Sequence, residues 1–314
     1  MNALLTIILP VFLVVGFGYL VSWRRWFSEG AVDGLMMFAQ NFAVPVLLFS
    51  SVARLDLGTE IRPSLLVSFY VGAWISFFAG WAGAKYLLKR VPEDCVVIGF
   101  ICLFSNTVLL GIPITERAYG PEALAGNWTI IALHSPLFYT FGISFMEFTR
   151  AQGSGLSLGR VALRALSGTL HTPLVIGILC GFAVNLLMHA GLVMPASFWA
   201  AVEMISQAAL PAALFGLGGI LFRYRPEGDI SAIIMCCACS LILHPAIVFG
   251  IGSLVGLDAA GMRSAVMTGA MAPGVNAYLF ASIYGAARRV AASAVLIGTA
   301  LSIFSIWMWL SILP

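Results

Sequence analysis

The chain alternates long apolar runs with short polar breaks, and the length of the runs sets the first expectation. A helix crossing a bilayer needs roughly 20 mainly apolar residues. Ten segments fit: residues 2–22, 34–52, 63–88, 95–118, 127–148, 172–188, 197–222, 230–255, 263–284 and 287–313. Between the fifth and sixth, residues 156–170 carry Arg160 and Arg164 on one face, the pattern of an amphipathic surface helix. The expected fold class is all-α and integral to the membrane, with ten transmembrane helices. Composition agrees: 61% of the 314 residues are hydrophobic and 9% charged, whereas soluble domains are about a quarter charged. No basic region precedes the first apolar run, so no cleaved signal peptide is expected.

Charge orients the spans. Arg24, Arg25, Lys85, Lys89, Arg90, Arg150, Arg160, Arg164, Arg223, Arg225, Arg288 and Arg289 fall on one side. Arg54, Arg62, Arg117 and Arg263 fall on the other, 12 against 4. The positive-inside rule makes the first side cytoplasmic and puts both termini outside. The net charge of +3 does not point to nucleic acid, because the basic residues lie in short loops rather than on one face.

The chain also resembles itself. "NFAVPVLLF" at 41–49 matches "QAALPAALF" at 207–215, laying Asn41 on Gln207 and Pro45 on Pro211 at an offset of 166. "AYG" at 118–120 and "IYG" at 283–285 are 165 apart, as are "VGFGY" at 15–19 and "CGFAV" at 180–184. Five spans per half force the second half to enter from the opposite face, so the repeats are inverted. Inverted repeats mark many secondary transporters, whose site lies near the midplane between the halves. The expected division is a five-helix repeat at 1–150, a linker helix at 151–171 and a second five-helix repeat at 172–314.

Spans four and nine then pair, and both are interrupted. "SNTVLLGIP" holds Ser105, Asn106, Thr107, Gly111 and Pro113; "MAPGVNAYLF" holds Pro273, Gly274, Asn276 and Tyr278. Proline removes a backbone donor and kinks or breaks a helix, and the glycines loosen the chain beside it. Irregular backbone at membrane depth is tolerated only where protein buries it or a cavity lines it. Two broken helices crossing around a site would offer helix N-termini and unwound carbonyls, with Asn106, Thr107 and Asn276 adding neutral hydrogen bonds. The plainer alternative is that proline and glycine simply kink these helices, where both are common.

These segments resemble the auxin efflux carrier family. "SNTVLLGIPITERAYG" is similar to its fourth-span motif, and "MAPGVNAYLFASIYG" to the ninth-span segment of its bacterial members. The resemblance implies a fold like bile-acid symporters and sodium/proton antiporters. Spans 1, 2, 6 and 7 would form a scaffold, and spans 3–5 and 8–10 a core carrying crossing helices 4 and 9. It implies a secondary transporter of a small organic anion, auxin in plants and in bacteria a dicarboxylate such as malonate, working by alternating access. By position, Asn106, Thr107, Gly111 and Pro113 match the first crossing element, and Pro273 and Asn276 the second. The chain lacks the long central loop of the plant carriers, which points to a short bacterial type in the inner membrane. The expected partners are the anion, the bilayer and, through the scaffold helices, a second copy of the chain. No cofactor is expected.

Titratable groups are scarce within the spans. Glu203 lies inside span seven, open to a gating or proton role or to a hydrated structural one. Glu147 lies near Arg150, and Glu116 beside Arg117, to pair with it or meet water. His134 and His244 could relay protons or only bond a backbone carbonyl. The six cysteines, Cys236-Cys237-x-Cys239 included, read as packing residues, since no partner ligands flank them at metal spacing. Neither crossing motif has a carboxylate, so no dedicated sodium site is expected, and H+ and Na+ both stay open as coupling ions. No metalloprotease, hydrolase-elbow or phosphate-loop motif occurs, so an enzyme is not expected. Internal inverted halves, rather than symmetric rings, argue against a pore. A coupled symporter of another metabolite and a transporter-like sensor are the alternative readings.

Overall fold

The structure, a computed structural model, describes residues 4–55, 62–150 and 171–314, and within them the chain forms helices and no strand. The linker helix expected at 151–171 lies, but for its last residue, outside the described residues. The helices are α1 (Leu4–Trp23), α2 (Glu29–Ala53) and α3 (Pro63–Leu87), α4 (Pro92–Leu103), α5 (107–119) and α6 (Ala125–Arg150). Then follow α7 (Pro173–His189), α8 (Ala196–Arg223) and α9 (Ile230–Leu254), α10 (Ala259–Gly269), α11 (Val275–Tyr284) and α12 (Arg288–Ile312). Seven of them (α1, α2, α3, α6, α8, α9 and α12) are long and apolar enough to cross a membrane, and α7 and α11 are shorter apolar helices. The chain is a multi-pass membrane protein.

Prolines reshape these helices without ending them. A proline cannot donate to the carbonyl four residues back, and its ring crowds that carbonyl. Four times the helix widens into a π turn, bonding i to i+5, that closes two residues ahead of the proline. Leu4–Ile8 precedes Pro10, Ala39–Ala43 precedes Pro45, Thr107–Gly111 precedes Pro113 and Cys239–Leu243 precedes Pro245. Pro136 and Pro211 instead sit inside regular α-helix. Pro113 therefore does not make the break expected of it. The fourth segment stops earlier, at Phe104–Asn106, and Pro113 rides in the helix beyond.

Glycines set the closest packing. α1 lies along α8 and α2 along α7, the two most extensive helix pairings. Gly18 meets the Phe215 carbonyl and Gly218 the Val15 carbonyl, with no room for a Cβ at either. Gly181 meets the Phe49 carbonyl in the same way. Without a hydrophobic drive between helices in lipid, such small-residue contacts carry much of the association. A large buried cluster that includes Phe77, Phe100 and Phe280 joins α3, α4, α9, α10, α11 and α12. A smaller one, with Val44, Leu48, Ile112, Trp128, Ile131 and Ile178, seals α2 and α7 against α5 and α6.

Candidate functional site

Helices α4 and α10 both stop in the interior, and the segments after them cross. The Asn106 N–H donates to the Ala272 carbonyl at 2.8 Å, and the Gly274 N–H to the Phe104 carbonyl at 2.8 Å. Ser105 and Pro273 form the antiparallel bridge between these two bonds. The broken helices thus return some of their freed backbone groups to each other. Beyond the crossing, α5 begins at Thr107, and its cap is Asn106, whose Oδ1 accepts from the Leu109 N–H at 3.3 Å. α11 begins at Val275 behind Gly274, with no side-chain cap. The first amides of a helix have no acceptor within it and carry a partial positive charge. Two such N-termini lie side by side here.

Both face one cavity of about 780 Å³, bounded by the crossing segments, α2, α6, α11 and the start of α7. Six of the residues singled out from sequence line it: Asn41, Ser105, Asn106, Thr107, Gly274 and Asn276. The others lie elsewhere. Gly111 and Pro113 are buried further along α5, and Pro273 is buried in the crossing, its ring against Gly298. Pro45 is buried in α2 against Gly177, while Pro211 is exposed on α8. Tyr278 packs on Tyr224, ring centroids 4.6 Å apart. Glu203 and Gln207 share an exposed face of α8, 3.5 Å from each other. His134 lies behind the crossing, fully buried. Arg117 donates to the Thr6 and Ile7 carbonyls of α1.

Sequence reasoning missed Gln40, Ser135, Tyr139, Thr172 and Ser282, which also line the cavity. A signal existed on α6, where Ser135, Tyr139 and Ile143 are four apart and share a face. The Tyr139 hydroxyl donates to the Asn276 carbonyl at 3.3 Å and ties α6 to α11.

Among the described residues, no charged side chain lines the cavity. Its electrostatics come from dipoles: two helix ends, several hydroxyls and four side-chain amides, of Gln40, Asn41, Asn106 and Asn276. Asn106 is 6% exposed, and its Nδ2 has no hydrogen-bond partner. An unpaired buried donor costs about 1–3 kcal/mol. No cluster of three or more histidine, cysteine or acidic residues suited to a metal occurs among the described residues.

A multi-pass helical bundle whose interrupted helices cross beside an uncharged interior cavity is the architecture of a membrane transporter. The chain belongs to the membrane transport protein family, whose profile matches residues 3–310, the family of the auxin efflux carriers. It is 24% identical over 302 residues to the "Putative malonate transporter" of Rhizobium meliloti (strain 1021), across 96% of this chain and 92% of that one. It is 23% identical over 287 residues to the "Uncharacterized transporter YfdV" of Escherichia coli (strain K12), across 90% and 88%. It is 21% identical over 337 residues to "Auxin efflux carrier component 5" of Arabidopsis thaliana, across 94% and 92%.

Proposed function

We propose that the protein is a secondary carrier of a small organic anion, working by alternating access around the crossing. The observation that carries this reading is the meeting of two helix N-termini at an uncharged cavity with an unsatisfied amide donor, since such ends favour anions. A carboxylate suits them, and a small dicarboxylate such as malonate is the first to try, a choice that one relative's name also favours. With no fixed cation in the cavity, affinity is modest.

On this reading α4 with α5, and α10 with α11, are two interrupted spans, and α7 is a third short one, giving ten spans in two inverted halves. The crossing bonds support a two-fold relation. Adding 168 to Phe104 and Asn106 gives Ala272 and Gly274, so each bond maps onto the other. The sequence offset of 165 at the tyrosine-glycine ends is smaller because α5, with its π turn, is longer than α11. Both helices end on a glycine of positive φ, Gly120 at 87° and Gly285 at 70°. Helices α1, α2, α7 and α8 form the scaffold, which would also carry any dimer contact, and the rest the core. With the basic loops in the cytoplasm and both termini outside the inner membrane, Ile143, Thr172 and Ile283 mark the cytoplasmic mouth of the cavity. The cluster around Ile112, Trp128 and Ile178 then closes the outer side, and the state is inward-facing.

Counterflow in proteoliposomes tests this. Unlabelled malonate inside should accelerate entry of labelled malonate. Asn106→Ala and Asn276→Ala should each slow it by about tenfold or more, the worth of one hydrogen bond to a charged group, without loss of folded protein. Unchanged rates in both variants, or unitary current steps in place of exchange, would overturn the reading.

A further inference from the structure

The cavity has a second polar wall, on α2. Gln40 and Asn41 line it from the π turn Ala39–Ala43, a kind of turn that is frequent at functional sites. The alanines at the two ends of that turn are fully buried, while Asn41 is exposed and Gln40 half-buried. The turn thus packs through its small residues and presents two neighbouring amides to the cavity. No hydrogen bond to another described residue occupies either amide.

Charge and size decide what these amides can hold. Two helix N-termini, each worth about half an elementary charge, offset about one negative charge at the crossing. A second negative charge at α2 would meet only neutral dipoles, since no charged side chain among the described residues lines the cavity. A charge taken out of water without a partner is costly. Side-chain amides suit an uncharged polar group instead, because each both donates and accepts. A cavity of about 780 Å³ has the size of a site for a drug-sized ligand, far more than malonate fills. Val44, Leu174, Leu279 and Ile283 add apolar wall for the stem of a longer solute.

Resting on the carrier reading above, we propose that the preferred solute has one charge and two polar ends. Its carboxylate lies at the crossing, and an uncharged end that both donates and accepts, such as a carboxamide, lies on Gln40 and Asn41. These two residues then set specificity while the crossing supplies the anion site. A dicarboxylate brings a second charge that nothing in the cavity offsets, so it is a weaker ligand than its own half-amide.

Calorimetry on purified protein at pH 7.5 tests this with glutaramate, its dicarboxylate glutarate and its apolar isostere 5-methylhexanoate, with malonate as the reference. Wild-type protein should bind glutaramate more tightly than glutarate. In the Gln40→Leu, Asn41→Leu double variant, the affinity ratio of glutaramate to 5-methylhexanoate should fall by about fivefold or more, the worth of one hydrogen bond. If that variant cannot be purified, the wild-type order of glutaramate and glutarate decides alone. Glutaramate bound no more tightly than glutarate, or a ratio unchanged in the variant, overturns the proposal and leaves the carrier reading standing. If neither malonate nor any of the other three acids binds the wild type, the carrier reading falls and takes the α2 subsite with it.

Discussion

At the scale of single residues, the two side-chain atoms of Asn106 have different surroundings. Oδ1 caps α5 through the Leu109 N–H, while Nδ2 is left without a partner. Aspartate keeps the cap and suits a helix N-terminus, but it exchanges the donor for a negative charge. Asn106→Asp should therefore melt close to the wild type, whereas Asn106→Ala loses about 1 kcal/mol with its cap. In counterflow the order reverses, and the aspartate variant should transport malonate more slowly than the alanine variant. Melting and exchange measured on the same preparations check both halves of this statement. An aspartate variant with full transport would assign Asn106 to capping alone. Asn106 and Asn276 were legible because an amide beside proline and glycine is anomalous in an apolar run. Ser135 and Tyr139 were not, since hydroxyls on an unbroken transmembrane helix usually satisfy themselves on its own carbonyls, as Ser144 and Thr149 do here.

At the scale of elements, the helix segments follow the apolar runs, and the second break holds Pro273, but the first break does not fall at Pro113. Pro113 is absorbed by a π turn, and the actual break at Phe104–Asn106 is held open by bonds to residues 272 and 274, far along the chain. Local residue type could not show that, because the compensation is tertiary. The helix starts are more local. Asp229 caps α9, accepting from the Ser231 N–H at 2.9 Å, and also receives Arg90 of the α3–α4 loop at 2.6 Å. Asp258 caps α10 and receives Arg62, before α3, at 2.6 Å. The Ser231 amide first, and then Arg90, holds the Asp229 carboxyl below the usual carboxylate range; for Asp258, Arg62 leads and the Gly261 amide follows. A depressed folded-state pKa stabilises above the unfolded value of about 3.9 and is lost as pH falls through the lower, folded one. Melting temperature in detergent should thus fall as acid is added below about pH 4, and Asp229→Asn should be less stable at pH 6 with a shallower acid decline. An identical pH profile in that variant would remove Asp229 from the acid response.

At the scale of the molecule, the two ion pairs join the start of α3 to that of α10 and the start of α4 to that of α9. Each joins segments far apart along the chain, 196 residues for Arg62–Asp258 and 139 for Arg90–Asp229. The smaller apolar cluster and the cavity occupy successive levels of the same seam, between α2 and α7 on one side and α5, α6 and α11 on the other. Closing one level while opening the other is what an alternating carrier must do. The cavity's charge-free lining could be anticipated from the absence of Lys and Arg in the apolar runs, but its partners on α2 and α7 depend on tertiary packing. The most direct measurement is a cryo-electron microscopy structure at saturating malonate. Density for a carboxylate should lie between the N-termini of α5 and α11, within hydrogen-bonding distance of Asn106 Nδ2. An empty crossing, with malonate bound instead on the exposed Glu203 face of α8 or nowhere, would contradict the account.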